Sequence, residues 1–238
     1  KKMQISPNIQ IIETSLWLEH EKILIINDLH LGYEEALQRK GVFVPHFQLK
    51  EIVTSLGRIF TQVTPNKIII NGDLKHEFGR VLRQEWSEVL QLIDFLLQHC
   101  KEVIIIKGNH DPIIQLIAEK RRTKVVTEYR TNDTLMIHGD GLVETDAQRI
   151  IIGHEHPAIT IREGSKWEKY KCFLRGKWKG KELIAVPSFN PLLEGTDILK
   201  EQMLSPFLTK VDGFDVFVVS KGEIFNFGTV REIKRKNG

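Results

Sequence analysis

Residues 102–112 read EVIIIKGNHDP. Val103-Ile104-Ile105-Ile106 is an unbroken apolar run, closed by Gly108. A run of that kind reads as a strand buried on both faces, as in parallel sheets covered by helices. Asn109, His110 and Asp111 then stand at its carboxyl end, where open α/β sheets place their ligands.

Four more apolar runs end the same way. Residues 22–27 lead into Asp28-Leu29-His30, and 67–70 into Asn71-Gly72-Asp73-Leu74-Lys75-His76. Residues 134–137 lead into His138, and 149–152 into Gly153-His154-Glu155-His156-Pro157. Between the early runs, apolar residues recur at helical spacing over 46–62 and 83–99, with a short helix over 34–40 stopped by Gly41. A further strand is expected over 9–18, another over 124–130, and a helix after Asp111-Pro112, a pair that suits an N-cap and first helical position. Alternating strands and helices predict a βαβ sheet. From residue 158 helical patterns fade, and short strands are expected at 158–162, 168–174, 182–186, 214–220 and 223–231, which suggests a second sheet packed on the first.

Of the 238 residues 41% are apolar, enough for a sizeable core, and the net charge is only +3. Cys100 and Cys172 are far apart, which argues against a disulfide framework and for a reducing cytoplasm. No apolar run approaches the length of a membrane span, and the start KKMQISPNIQ lacks the apolar core of a signal peptide. The residues ahead of Met3 read as an expression remnant or a processed start.

The strand-end residues suit metal binding. Residues i and i+2 of an extended chain face the same way, about 6–7 Å apart, which makes Asp28/His30 and His154/His156 same-facing pairs. Carboxylate, imidazole and amide oxygen together favour first-row divalent ions. So many candidate ligands suit two ions sharing a carboxylate, a geometry that clamps an in-line phosphoryl displacement.

The blocks Asp28-x-His30, Gly72-Asp73-x-x-His76, Gly108-Asn109-His110-Asp111, His138 and Gly153-His154-x-His156, in this order, resemble the calcineurin-like metallophosphoesterases. The length and the phrase GDLKHEFG (72–79) resemble most the prokaryotic, largely archaeal group that includes DNA-ligase-associated members. The resemblance covers about 130 residues of motif and leaves 158–238 unmatched. It implies a four-layer α/β/β/α sandwich of two mixed β-sheets flanked by helices, in one domain spanning 1–238. It implies two divalent ions, Mn2+ first, with Fe, Zn or Ni as alternatives. Asp28, His30 and His156 would hold one, Asn109, His138 and His154 the other, and Asp73 would bridge them. A hydroxide bridging the ions would attack phosphorus. His110 would act as general acid on the leaving oxygen, and Asp111 would orient it. Many members carry Asp where His76 stands, and His76 is read as a support for Asp73 or a substrate contact. The loop Val186–Pro191 replaces a family Asn-Pro-Gly-Ser turn, so no role carries over to it.

The stretch 162–182, REGSKWEKYKCFLRGKWKGKE, holds eight Lys or Arg against three Glu, with Trp167, Tyr170 and Trp178. It reads as a basic insertion: either a single-strand nucleic-acid surface or a solvated hairpin whose lysines guard a sheet edge. The expected activity is phosphodiester hydrolysis, with nucleic acid or nucleotide as partner. The alternatives are a phosphomonoesterase or protein phosphatase on the same metals, and a non-catalytic scaffold. Position 110 argues against the scaffold, because its imidazole is kept.

Overall fold

The computed structural model describes residues 1–78 and 83–237. Gly79, the last residue of GDLKHEFG, lies outside them. The first sheet runs in order through β1 (Lys2–Ser6), β2 (Ile9–Ile12), β3 (Ser15–Leu18), β4 (Ile23–Asn27), β5 (Lys67–Asn71), β6 (Glu102–Ile106) and β7 (Lys124–Val126). Pairing is antiparallel up to β4 and parallel from β4 to β7. Helices α1 (Tyr33–Arg39), α2 (Gln48–Phe60), α3 (Arg83–Leu97) and α4 (Ile114–Glu119) fill its connections. The single strand expected over 9–18 is a hairpin, because Glu13 turns the chain with φ 51°. Lys2 and Met3 pair with Ile12 and Ile11, so β1 takes in a residue ahead of Met3.

The expected strand 124–130 also divides. β7 closes the first sheet, and β8 (Glu128–Thr131) opens the second. The second sheet continues through β9 (Thr134–Ile137), β10 (Arg149–Ile152), β11 (Pro157–Glu163), β12 (Lys166–Trp178), β13 (Lys181–Ala185), β14 (Thr196–Asp197), β15 (Asp215–Ser220) and β16 (Glu223–Thr229). β9, β10 and β13 are parallel neighbours, while β12 lies antiparallel between β13 and β11 and also pairs with β15. The chain thus passes from one sheet to the other once, at Thr127. The basic charges at 231–236 lie on α5 (Val230–Asn237), whose Val230 and Ile233 are buried. Thr229 ends β16 by capping that helix: its amide donates to Glu232 Oε2 at 2.7 Å, and its Oγ1 accepts from the Glu232 amide.

Three apolar clusters give four layers. One joins α2, α3 and α4 to the outer face of the first sheet, through Ile52, Leu56, Val89, Ile93 and Ile117. A second covers the outer face of the other sheet with the Pro206–Leu208 turn, Phe214 and α5. The third lies between the sheets, where Ile25, Ile69 and Ile104 meet Ile151, Phe173 and Ile184. Strands facing two cores need apolar residues at every position, which is why β4, β5, β6 and β10 carry unbroken runs. Cys100 and Cys172 are both free thiols.

The stretch 162–182 is built into this sheet along most of its length. β12 carries Cys172, Phe173 and Leu174 fully buried at its middle. Thirteen residues of strand span about 40 Å, so its basic residues separate to opposite ends of the molecule. Lys177, Lys179 and Lys181 gather at the β12–β13 turn, and Arg162, Lys166 and Lys169 on the β11–β12 hairpin.

Candidate metal centre

The five strand ends meet because the parallel strands are in register. Asn27 pairs with Asn71 and Asn71 with Ile106, while Ile137 pairs with Ile152 and Ile152 with Ala185. The residue after each pair is the first that can leave the ladder, and those residues begin the candidate ligand loops.

The ligands are not presented by extended chain. Asp28, His30, Asp73, His154 and His156 have φ of 51°, 44°, 42°, 63° and 51°, the left-handed region that residues with a Cβ seldom adopt. Each such residue costs about 1–3 kcal/mol, persists only where surroundings enforce it, and clusters at functional sites. The turns put ligand atoms of Asp28 and His30 within 4.8 Å of one another but send His154 and His156 to different groups, so the extended-chain pairing is corrected here. Loop–loop bonds enforce them: the His30 amide donates to the Asp73 carbonyl at 2.8 Å, and the His154 amide to Asp28 Oδ2 at 3.0 Å.

Asp28, His30 and His156 place one ligand atom each within 4.8 Å of one another, as do Asp73, His138 and His154. Asp73 Oδ2 lies 3.6 Å from His30 Nε2 and 3.4 Å from His138 Nε2, between the two groups. Asn109 Oδ1 is 2.9 Å from His138 Nε2, which puts it with the second group. All seven residues expected to bind metal therefore converge. Buried Asp28 Oδ1, His30 Nε2 and His156 Nε2 have no hydrogen-bond partner, an expensive arrangement for polar atoms unless an ion takes their lone pairs. Glycines make the room. A Cβ on Gly72 would lie 1.9 Å from His138 Nδ1, on Gly108 2.1 Å from Asp73 Oδ1, and on Gly153 2.5 Å from Asp28 Oδ2. These donors fit two divalent first-row ions.

Charge is shared unevenly around the centre. Burial alone would lower His138, but the Asp73 hydrogen bond and the Asp28 carboxylate outweigh it and raise its pKa to about 9. Burial likewise opposes ionisation of Asp73, yet His138 and His30 hold its carboxyl below the usual range. Burial, then His156, pushes His30 well down, and burial, then His110, takes His76 to about 4.

His110 stands beside the ligands. Its amide donates to Asp73 Oδ1 at 2.9 Å and its Nδ1 lies 2.8 Å from the His76 carbonyl. Asp111 does not orient that ring. Its carboxylate accepts the amides of Gly108, Leu74 and Lys75 at 3.1–3.2 Å, tying the loops after β5 and β6 together. Burial raises its pKa to about 6, with the Asp73 charge adding. Nor does Asp111 cap α4, which starts at Ile114. His76 sits over the site with its ring 5.4 Å from that of His30 and 5.6 Å from that of His110.

Two supports lie outside the sequence motif. Glu85 of α3, almost fully buried, accepts the amides of His76 (2.9 Å) and Glu77 (2.8 Å) and pairs with the fully buried Lys75 at 3.7 Å. It thereby fixes the carbonyl that holds His110. On the other side, Ser188 Oγ donates to the Asp28 carbonyl at 2.7 Å, and the Phe189 amide to the Asn27 carbonyl at 2.8 Å. Lys171 Nζ donates to the carbonyls of Ser188 and Asn190, and burial pushes its ammonium down to about 7. The loop Val186–Pro191 thus holds Asp28. Its readable sign is that 183–186 is a sixth apolar run ending in polar residues.

The calcineurin-like phosphoesterase family profile matches residues 21–220. The chain belongs to the calcineurin-like phosphoesterases. It is a metal-dependent hydrolase of phosphate esters, as its family is. This phosphoesterase superimposes on the nuclease MPE of Pseudomonas putida with a TM-score of 0.66 at 15% identity, over 95% of this chain and 99% of that one. The likeness establishes the two-sheet fold. Looser superpositions are with the phosphoesterase YfcE of E. coli (TM-score 0.44, 15% identity, 85% and 96% covered) and a Vps29 double mutant of Entamoeba histolytica (0.36, 14%, 87% and 99%). No curated protein matches the chain in sequence. Among the described residues no helix is long and apolar enough to cross a membrane.

Proposed function

We propose that this phosphoesterase hydrolyses phosphodiester bonds of a nucleic acid or nucleotide, at a pair of divalent ions, Mn2+ first, in the cytoplasm. The observation that carries the reading is Asp73 Oδ2, set between two ligand groups, with His110 beside them and outside both. Asp28, His30 and His156 would hold one ion, Asn109, His138 and His154 the other, and Asp73 both. When bound, the ions supply Lewis acidity to the phosphoryl oxygens and make water acidic enough to act as nucleophile near neutral pH.

The chain's own residues do the rest. The His76 carbonyl only accepts, so His110 Nδ1 carries hydrogen. The proton passed to the leaving oxygen is then the one on Nε2 of the imidazolium. The Asp73–His110 amide bond keeps that ring in step with the bridging carboxylate. The free cysteines support a reducing compartment.

The test is Mn-dependent turnover of bis(p-nitrophenyl) phosphate against p-nitrophenyl phosphate. The diester is expected to turn over with the higher kcat/KM. A clear preference for the monoester overturns the reading, and the phosphomonoesterase takes its place.

A further inference from the structure

β11 leaves the metal centre at Pro157, directly after His156. It runs outward for seven residues, turns at Gly164-Ser165, and returns as the first half of β12. Pairing of β12 with β13 begins only at Leu174, opposite Ala185 at the site end of the sheet. Ala158, Ile159, Cys172 and Phe173 are fully buried, and Cys172 and Phe173 also pair with β15, so the hairpin is anchored in the core next to His156, and its outer part, residues 160–169, forms an arm that extends past the site edge. The arm is held from beneath by β14, which pairs with Pro157 and Ala158. Gly195 permits that approach, since a Cβ there would lie 2.1 Å from the His156 carbonyl oxygen.

Directly opposed residues of an antiparallel pair share a face. Ala158 opposes Lys171, Thr160 opposes Lys169, and Arg162 opposes Trp167, so these six form one face. Its root is structural: Lys171 holds the loop behind Asp28, and Lys169 is tied to the Gly195 carbonyl and Glu201. Its outer end is open. Trp167 is 59% exposed although two cations lie over its ring, Lys200 Nζ at 4.8 Å and the Arg162 guanidinium at 5.7 Å from the centroid. Guarding a sheet edge needs charge alone, and an exposed indole adds nothing to that. An exposed indole with cations beside it offers a base a stacking surface and its phosphates counter-charges. Duplex DNA offers stacked bases that an indole cannot reach, so the surface fits unpaired strands.

We propose that Trp167, with Arg162 and Lys200, binds a single-stranded polynucleotide whose scissile phosphate lies at the metal centre. This deepens the phosphodiesterase reading and rests on it for the position of the cut. From His156 to Arg162 is about 20 Å of strand, so the contact reaches nucleotides well removed from the scissile bond.

The experiment compares wild type, Trp167→Ala, Trp167→Phe and Arg162→Ala/Lys200→Ala with Mn2+. Its readouts are turnover of bis(p-nitrophenyl) phosphate, cleavage of a ~20-nucleotide single-stranded DNA, and binding of that DNA by fluorescence anisotropy to metal-stripped protein. Trp167→Ala is expected to raise KM and Kd for the long strand about 5- to 150-fold, with small-diester turnover and melting temperature unchanged. Trp167→Phe restores most of the loss, and the double variant flattens the salt dependence of binding. Equal KM and Kd for the strand in wild type and Trp167→Ala overturn the proposal, as does equal loss on the small diester. Wild type that binds the strand through Trp167 yet cleaves no diester leaves the arm standing and sinks the phosphodiesterase reading instead.

Discussion

His138 has two carboxylates to serve, Asp28 at 3.5 Å from Nδ1 and Asp73 at 3.4 Å from Nε2. Its pKa, raised from 6.5 to about 9, means the metal-free fold prefers the imidazolium. That preference stabilises the metal-free protein fully below pH 6.5 and is lost as pH rises through about 9. A metal requires the neutral ring, so Mn2+ binding near pH 8 should release about one proton from this residue, falling toward none as pH passes its folded pKa. Titration in weak buffer with a pH dye measures it, and uptake without release would remove His138 from the ligand set. His110 makes a different prediction. His110→Ala should keep the metal content and lose about 10²–10⁴ in kcat on a diester with an alkoxide leaving group. The loss should shrink for p-nitrophenolate, which leaves without a proton. Equal losses on both would deny His110 its acid role. The types of these residues, in their order, were legible in the chain. The jobs of Asp111 and Glu85 were not, because a carboxylate's partners here are backbone amides of loops that meet only in the fold.

At the level of elements, each ligand loop depends on a residue that keeps space empty. Gly72→Ala would drive a Cβ into His138 Nδ1. Gly41 has nearly the same φ, +83° against +82°, with nothing within 4 Å of its would-be Cβ, so Gly41→Ala carries the backbone strain alone. Metal content after dialysis should fall at least about tenfold in affinity for Gly72→Ala and hold for Gly41→Ala. Matching behaviour would mean strain, not overlap, is what matters. Helix α3 contributes through Glu85. Glu85→Ala strands a fully buried lysine and two amides, a loss of about 3–5 kcal/mol by denaturant titration, and Glu85→Gln should lose less because its oxygen still serves the amides. A wild-type midpoint for Glu85→Ala would show the clamp to be idle. Elements also set the limit of reading charge from sequence. The eight cations of 162–182 look like one patch in a line of text, but β12, thirteen residues long, separates those on the β11–β12 hairpin from those at the β12–β13 turn. Left-handed turns were hidden for a related reason: Asp and His do not announce φ above zero, and a glycine stands beside only Asp73 and His154 of the five.

Across the whole molecule, the first sheet supplies Asp28, His30, Asp73 and Asn109, and the second His138, His154 and His156. Two carboxylates of the first sheet, Asp28 and Asp73, meet imidazoles of the second across this seam, and His138 lies against both. Bound ions should therefore tie the sheets together. With free Mn2+ at about 100 times its Kd, each site adds about 2.7 kcal/mol, or roughly 5–10 °C in melting temperature for a chain of this size. Scanning calorimetry with and without chelator measures it, and an unchanged transition would refute the stapling. The two-sheet plan was readable from the change of texture near residue 158, although the crossing itself falls at Thr127, inside what looked like one strand. Nothing in local propensity marks it, because both halves of that segment remain extended.

That single crossing orders events during synthesis. A ribosome delivers the whole first sheet, with four of the seven candidate ligands, before any strand of the second exists, and domains form as their residues emerge. The second candidate ligand group is complete only when His154 has been made, and the first only when His156 has. The nascent chain should therefore hold neither ion in its full set of donors before the start of the second sheet has emerged.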